Sequence, residues 1–339
     1  MLHSRSRRGR RGCAAVNAPP ELTTLLGPIL ADIEQVERLL QQTIAQAEEP
    51  LRHKLQHALA GGKRFRPALV ILSGQLFAPS GAPACRLAAA IEMLHTATLI
   101  HDDVVDRSPQ RRGKATLHTL WPAGAAVLAG DYLMALSIAA VAELGRPRLL
   151  EVFAQALCAM AAGEIRQAVG ETDALDLRNE YYQNAEAKTA SLCAAATEMA
   201  GILGKADGVQ IAALRRFGRT LGLAFQIADD VLDVSGEVAQ LGKPTGSDLR
   251  QGRITLPTVC YLEQGGNSAA VQAMLHGSRN RRLYQAAIRA VRASGAADAA
   301  MAEARSYAQA ANTELTLLPD TPARRTLAAL VEYVVERRR

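Results

Sequence analysis

Two short acidic segments have the residue types and spacing of a divalent-metal site. Both read Asp-Asp-x-x-Asp, and their members are Asp102, Asp103 and Asp106 in the first segment and Asp229, Asp230 and Asp233 in the second. On a helix, side chains three or four residues apart share a face, so the carboxylates of each segment cluster and repel one another. A bound cation would compensate this repulsion. Oxygen ligands without His or Cys suit Mg²⁺ or Mn²⁺ and do not suit zinc.

A second copy of the pattern changes its interpretation. A single acidic cluster at a helix end is typical of a solvated face, which contributes little. Here, however, each copy follows an apolar stretch, with Leu99 and Ile100 before the first and Phe225 and Ile227 around the start of the second. Magnesium uses one or two carboxylates together with water and substrate phosphate oxygens. The two segments therefore predict two walls of one metal–diphosphate site.

Basic residues follow the acidic segments and a glycine pair. They are Lys63, Arg64 and Arg66 after Gly61-Gly62, Arg111, Arg112 and Lys114 after the first segment, Lys188 beside Thr189, and Lys243 and Arg253 near a polar loop at 235–252. Guanidinium and ammonium groups bind phosphates. A site for two anionic substrates would need a basic side as well as the metal side. We interpret Arg64 and Lys114 as ordinary surface cations.

The elements that must position these residues are helices. Alanine and leucine are abundant, strict apolar alternation is rare, and aromatic residues make up only 4 % of the 339 residues. This balance favours helix over sheet. Helical patterns are predicted at 22–50, 67–76, 83–106, 123–144, 148–171, 178–203, 208–234, 254–264, 268–276, 280–294, 296–315 and 321–337. We expect an all-α fold, with residues 21–339 forming one helical bundle domain of ten or more helices around a central cavity.

Charge and cysteine usage exclude several other classes. The net charge is +6, and five arginines precede the first acid, Glu21, so the rest of the chain is near neutral. A nucleic-acid interface across the fold is therefore not expected. Residues 1–20 are Arg-rich and predict a disordered tail. The five cysteines lack CxxC spacing, which fits a reducing, cytoplasmic setting. We found no apolar run near the ~20 residues that a membrane helix needs.

Six segments in order resemble the trans-isoprenyl diphosphate synthases, the polyprenyl synthetase family, over roughly residues 25–335. They are GGKRFRP at 61–67, LIHDDVVDRSPQRRGKATLH at 99–118, Gly130-Asp131-Tyr132, Lys188-Thr189, FQIADDVLD at 225–233 and GKPTGSDLRQGRITLP at 242–257. The similarity is greatest to long-chain, octaprenyl-type synthases that make quinone side chains. It implies an isoprenoid-synthase helical fold, Mg²⁺ dependence with two or three ions (Mn²⁺ being possible), and a homodimer.

The resemblance also implies residue roles. The six aspartates would bind metal, and with Lys188 they include the catalytic set: Asp102, Asp103, Asp106, Asp229, Asp230 and Lys188. Isopentenyl diphosphate would bind Lys63, Arg66, His95 and Arg112, and the allylic diphosphate would bind Arg111, Lys188, Thr189, Gln226 and Lys243. Arg253 stands where the family usually has lysine, so its contact geometry is expected to differ. A core-facing role is the alternative interpretation of His95.

Such an enzyme would extend an allylic chain with isopentenyl units, and the small residues Ala97 and Thr98 would leave room for it. They lie four to five residues before Asp102, on nearly the same helix face. Tyr132, Leu133 and Met134 are candidates for the tunnel floor. We expect a product of roughly seven to ten isoprene units, at most peripheral membrane contact, and no nucleic-acid partner. The alternatives are a farnesyl- or geranylgeranyl-length synthase, a terpene cyclase and a non-catalytic partner subunit.

Overall fold

The computed structural model describes residues 19–77, 81–111, 113–169, 176–235, 246–276, 278 and 280–337. The first helices are α1 (Pro20–Leu25), α2 (Leu30–Ile44), α3 (Leu51–Leu59), α4 (Phe65–Gln75), α5 (Ala82–Val105), α6 (Leu117–Leu120), α7 (Ala123–Ala142) and α8 (Pro147–Val169). They are followed by α9 (Leu177–Ala185), α10 (Ser191–Leu203), α11 (Gly208–Ser235), α12 (Ser247–Arg250), α13 (Leu256–Glu263), α14 (Ala269–Leu275), α15 (Arg281–Ala293), α16 (Ala296–Leu315) and α17 (Pro322–Glu336). One hairpin pairs β1 (Gln110–Arg111) with β2 (Lys114–Ala115). The all-α prediction is confirmed.

Helix α10 lies at the centre of the bundle, where it packs against α4, α5, α8 and α11. Ten consecutive residues of α10, from Leu192 to Gly201, are buried. A helix that is apolar all round belongs in the interior of a bundle, because it has no face to offer to water. The α5 and α11 helices carry the two acidic segments, so the core holds both segments in place.

Two predicted helices are interrupted. The stretch at 22–50 breaks around Gly27-Pro28, where a 3₁₀ turn (Gly27–Ile29) separates α1 from α2. Proline lacks the N–H that a continuous helix would use there. The stretch at 178–203 contains a π-helical turn (Glu186–Ala190) between α9 and α10. Apolar periodicity did not predict that turn, because its extra residue depends on contacts with neighbouring helices.

The expectation that no apolar run approaches membrane-spanning length is wrong for α7. Ala123–Ala142 has a mean hydropathy of 1.8 and is long and apolar enough to cross a membrane by length and composition alone. In the fold, α7 packs against α5, and 33 % of its apolar window is buried. Its outer face leaves Val127, Leu128 and Ile138 exposed. The exposure of these apolar side chains is a feature that the helical pattern alone did not predict.

Candidate active site

The first acidic segment forms the C-terminal end of α5. Asp102 and Asp103 are buried in the last turn, and Asp106 caps the helix. Each carboxylate faces a cation: Lys188 Nζ lies 3.1 Å from Asp102, Arg111 Nε lies 2.8 Å from Asp103, and an Arg253 guanidinium nitrogen contacts Asp106. These pairs offset both the mutual repulsion and the unfavourable helix dipole. Burial nevertheless raises the pKa of Asp103, although Arg111 opposes the shift.

The second acidic segment lies in the last turns of α11, and its three members have different environments. Asp229 is exposed and pairs with Arg337 Nη2 at 2.7 Å. Asp230 is buried and accepts hydrogen bonds from the Tyr181 hydroxyl at 2.7 Å and the Gln226 amide at 2.8 Å. Burial raises the pKa of Asp230 well above the ordinary value.

Asp233 accepts a hydrogen bond from the backbone N–H of Asp248 at 3.2 Å. This contact joins the end of α11 to the start of α12. Asp248 itself lies 3.7 Å from the Arg253 guanidinium, which also contacts Asp106 of the first segment. Arg253 therefore bridges the two acidic ends of the site with its planar fork, a geometry that a lysine ammonium cannot reproduce.

Two neighbouring cavities meet at Lys188. The first, of about 550 Å³, is lined by the charged or polar residues Lys63, Arg66, His95, Asp102 and Asp229 and by the apolar residues Met134, Leu157 and Met160. The second, of about 370 Å³, is polar and is lined by Asp106, Asp230, Asp248 and Arg253 among others. Glu164, Lys188 and Gln226 line both. The arrangement offers an acidic compartment, a basic compartment and an apolar space in continuity.

The donor set fits a hard divalent cation that binds together with a phosphate. Within the described residues, no three His, Cys, Asp or Glu side chains form a ready metal cage. That is because the aspartates turn toward cations, as Asp102 does toward Lys188 and Asp229 toward Arg337. Magnesium needs only one or two carboxylates when phosphate oxygens complete its shell. Oxygen-only donors at the junction of the cavities meet that requirement.

Most of the predicted substrate residues are brought together. The first cavity is lined by Lys63, Arg66, His95, Thr98, Arg111, Lys188, Thr189 and Gln226, and the second by Arg253. Arg112, Lys243, the predicted loop positions 236–245 and residues 1–18 of the predicted tail lie outside the described residues. His95 is half-buried, with Nε2 lying 3.1 Å from Arg66, so it faces the site and not the core.

Two predictions need correction and one floor candidate drops out. Arg64 is not a surface cation, since it is 4 % exposed and forms ion pairs with Glu37 and Glu92. Ala97 is fully buried and does not line the cavity, whereas Thr98 does. Ala97 is one residue before Thr98, which is about 100° around the helix, so its side chain faces neighbouring helices. Leu133 is likewise buried away from the cavity that Met134 lines. Lys114 is exposed, as expected.

Comparison with known proteins decides the family. Residues 48–291 match the polyprenyl synthetase family model, which is more than half of the chain. The chain belongs to the polyprenyl synthetase family. It is 39 % identical to a nonaprenyl diphosphate synthase of Mycobacterium tuberculosis, over 91 % of this chain and 93 % of that protein. It is 36 % identical to a short-chain isoprenyl diphosphate synthase of Methanothermobacter thermautotrophicus, over 90 % of this chain and 93 % of that protein.

The fold of this family member is also that of solved structures. It is similar to a polyprenyl synthase of Caulobacter crescentus complexed with calcium and isoprenyl diphosphate, with a TM-score of 0.87 and 34 % identity. The match covers 97 % of this chain and all of that chain (100 %). A divalent metal and an isoprenyl diphosphate therefore bind a protein with the same fold.

The sequence analysis missed four residues of the site in this family member. Glu164 lies 2.6 Å from Lys188, Tyr181 bonds Asp230, Asp248 faces Arg253, and Arg337 pairs with Asp229. Tyr181 had a signal, because it lies seven residues before Lys188 and so nearly shares its helix face. Arg337 belongs to a run of three arginines at 337–339, a pattern that is typical of exposed side chains. Its guanidinium carbon lies 4.1 Å from the centre of the Phe225 ring.

Proposed function

We propose that this chain is a prenyl transferase that condenses isopentenyl diphosphate with an allylic diphosphate, 1'-4 and trans, to make a long-chain polyprenyl diphosphate for a quinone side chain. The observation that carries the proposal is the continuity of three compartments in one site. Lys63 and Arg66 line a basic end, Asp102 and Asp229 mark an acidic junction, and an apolar space adjoins both. Two anionic head groups and one growing hydrocarbon chain need these three environments.

The two diphosphates occupy different ends of the site in this proposal. Isopentenyl diphosphate binds Lys63, Arg66 and His95, which line the first cavity together. Arg112 joins them by family resemblance. The allylic diphosphate binds between the acidic segments, beside Arg111, Lys188 and Arg253, with Lys243 added by the same resemblance. Charge separation of this kind keeps each head group on its own side.

Mg²⁺ is the metal that we propose for the acidic junction, as two or three ions, with Mn²⁺ able to replace it. Asp102, Asp103 and Asp106 would hold metal from one side, and Asp229, Asp230 and Asp233 from the other. Bound there, the metal neutralises the allylic diphosphate and makes it a better leaving group. Lys188 and Arg253, which contact Asp102 and Asp106, would donate to the diphosphate oxygens once metal held those carboxylates.

The reacting carbons lie beyond the head groups, where the walls are uncharged. Cleavage of the allylic C–O bond leaves an allylic cation, and the isopentenyl double bond attacks that carbon. A proton then leaves, and the released diphosphate accepts it. Thr189 donates to the Gln226 amide oxygen at 2.6 Å, which fixes polar oxygens near the cation without offering a nucleophile. Exclusion of water protects the cation from capture.

The growing chain extends along the apolar wall of Met134, Leu157 and Met160. Thr98, the residue one turn before Asp102, is small and leaves the entrance of this wall open. These features support a product longer than farnesyl, of roughly seven to ten isoprene units. A farnesyl- or geranylgeranyl-length product is the alternative, since a short-chain enzyme is also among the relatives.

We further propose that the protein acts as a homodimer in the cytoplasm, with at most peripheral membrane contact. The exposed apolar residues Val127, Leu128 and Ile138 of α7 support a second copy as the partner. Cys85, Cys193 and Cys260 are buried free thiols, as a reducing compartment permits.

Incorporation of labelled isopentenyl diphosphate tests the proposed reaction. With an allylic primer and Mg²⁺ we expect label in an apolar product, and we expect its loss with a chelator. Asp102→Ala and Asp229→Ala remove metal oxygens from opposite walls and should each lower turnover by several orders of magnitude. Glu198→Gln, which changes a buried acid remote from both cavities, is the matched control. Near-normal turnover of either Asp variant would contradict the metal assignment.

A further inference from the structure

The connection between α3 and α4 contains an arginine in a backbone conformation that suits glycine. Gly61 and Gly62 have φ of +85° and +106°, and Arg64 has φ of +52°. A side chain in the left-handed region costs roughly 1–2 kcal/mol, a penalty that glycine does not have. Because Arg64 has this conformation at the first residue before α4, contacts of its side chain must hold it there.

The Arg64 guanidinium binds three separate elements at once. Its Nε and Nη2 donate to the Glu37 carboxylate of α2, the latter at 3.1 Å. Nη1 donates to Glu92 of α5 at 2.7 Å, and Nη2 also donates to the Leu59 carbonyl at the end of α3 at 2.8 Å. All three nitrogens are therefore engaged by protein acceptors, and the side chain is 4 % exposed. Burial alone would lower the pKa of Arg64, but Glu92 and Glu37 outweigh it and raise the pKa.

Arg64 and Glu92 reach the wall of the first cavity, but all three guanidinium nitrogens of Arg64 are bound to protein acceptors. Lys63 and Arg66 both line that cavity, and Arg66 lies 3.1 Å from His95. Glu92 and His95 are three residues apart on α5, so they share a face. Arg64 and Arg66 thus contact successive turns of α5, one through a buried ion pair and the other beside the cavity.

We propose that Arg64 is a positioning residue for the isopentenyl diphosphate subsite. It holds the left-handed turn between α3 and α4 so that Lys63, Arg66 and His95 converge on one head group, while its own nitrogens stay on Glu37, Glu92 and Leu59. This inference rests on the proposed function. It predicts that loss of the buried contacts weakens recognition of isopentenyl diphosphate and leaves recognition of the allylic primer unchanged.

A purely stabilising role is the competing explanation, and a neutral variant separates the two. Arg64→Met alone would leave two buried carboxylates without a partner and could unfold the chain. The triple variant Glu37→Met, Arg64→Met and Glu92→Met removes all three charges together, so no buried charge remains unpaired. Buried ion triads can be replaced by well-packed hydrophobic residues of similar volume without loss of stability. The triple variant is therefore expected to fold, which circular dichroism and thermal unfolding check.

Steady-state kinetics with each substrate varied in turn are the test. We expect the triple variant to raise KM for isopentenyl diphosphate by about tenfold or more, and to change KM for farnesyl diphosphate and kcat less than about twofold. Arg64→Lys keeps the positive charge but loses the branched guanidinium. Its KM for isopentenyl diphosphate should lie between those of the unmodified chain and the triple variant. Glu198→Gln, a buried acid that pairs with Arg148 and Arg215 away from the cavities, controls for the loss of buried charge.

The outcomes separate this inference from the function on which it rests. A folded triple variant with unchanged KM for isopentenyl diphosphate, or with equal rises in both KM values, would overturn the positioning role. If the triple variant does not fold, Arg64→Lys decides, and an unchanged KM there overturns the role as well. An unmodified chain that incorporates no isopentenyl unit contradicts the proposed function, and this inference with it.

Discussion

Lys188 forms ion pairs with two carboxylates of the site. Its ammonium lies between Asp102 at 3.1 Å and Glu164 at 2.6 Å. Burial alone would lower the pKa of Lys188, but these carboxylates outweigh it and raise the pKa. Lys188 therefore stays charged at neutral pH. In the proposed function, Lys188 would move from Asp102 to the allylic diphosphate when a metal ion binds Asp102. Both Asp102 and the diphosphate would then have a cation beside them.

The contrast between Thr98 and Ala97 gives a residue-scale prediction. Thr98 lines the cavity and Ala97 is fully buried. We expect Thr98→Phe to place a ring in the path of the growing chain and shorten the product by several isoprene units. Ala97→Phe should instead overpack the core and lower stability by about 1–3 kcal/mol. Chromatography of the product lengths and thermal unfolding distinguish the two. Equal product lengths for Thr98→Phe and the unmodified chain would remove Thr98 from the tunnel wall.

Asp230 gives a prediction about pH. Burial and the nearby Asp248 raise its pKa, whereas Tyr181 and Gln226 lower it less. A carboxyl whose pKa is higher in the folded than in the unfolded chain favours folding when protonated, and stability falls as pH rises through the raised pKa. Without metal, Asp230→Asn should therefore raise Tm by a few degrees at pH 8, and the gain should shrink toward pH 4. A lower Tm for the variant at pH 8 in a chelator would contradict this.

At the residue scale, the sequence predicted contacts between residues that are close together in the chain and missed contacts between distant ones. The aspartates were identified from spacing within five residues, because one helix turn brings them together. Arg64 was misjudged because its partners lie 27 and 28 residues away, on α2 and α5. Burial of a charge by distant acids leaves no mark in the local sequence. For the same reason Arg337 was missed, since its partner Asp229 is 108 residues away.

At the scale of elements, the π-helical turn at Glu186–Ala190 determines where Lys188 and Thr189 point. Two glycines of neighbouring helices allow the turn to pack closely. A Cβ at Gly163 of α8 would lie 2.5 Å from the Ala187 Cβ, and a Cβ at Gly222 of α11 would lie 2.6 Å from the Ala190 Cα. Turns of this kind occur often at functional sites. Apolar periodicity predicted the helices around it, but the inserted residue depends on these tertiary contacts.

Gly222→Ala tests the importance of this packing. The added methyl group meets the backbone of the turn, so we expect a loss of about 1–3 kcal/mol in stability. We also expect a clear fall in turnover, because the turn carrying Lys188 must shift. Gly74→Ala on α4 is the matched control, as nothing lies within 4 Å of its Cβ position. Full turnover and unchanged Tm in Gly222→Ala would show that the turn tolerates displacement.

At the scale of the whole molecule, the helical bundle was largely predictable and its α7 surface was not. Boundaries agreed within a few residues for long periodic helices such as α5, α11 and α16, because each has a clear polar-to-apolar transition at its ends. The bounds of α7 were also predicted within two residues, but the exposure of its faces was not. It is apolar on both its inner face, against α5, and its outer face, where Leu128 is 68 % exposed. Sequence alone cannot assign the second face to water, lipid or a partner.

Leu128→Glu tests the proposal that a second copy covers this face. A buried, unpaired carboxylate in the centre of an apolar interface would oppose association, so we expect monomers by light scattering at micromolar concentration. Val209→Glu changes an exposed apolar residue on α11, distant in the chain from α7, and is the control. A dimer that persists in Leu128→Glu, or an unmodified chain that is monomeric, would contradict the interface.

The most direct test of the central claim is one reaction with farnesyl diphosphate, labelled isopentenyl diphosphate and Mg²⁺, whose products are dephosphorylated and separated by chain length. We predict a dominant product of roughly seven to ten isoprene units that disappears when a chelator is added. A product that ends at farnesyl or geranylgeranyl length would contradict the long-chain assignment. No incorporation with any allylic primer would contradict prenyl transfer by this chain alone.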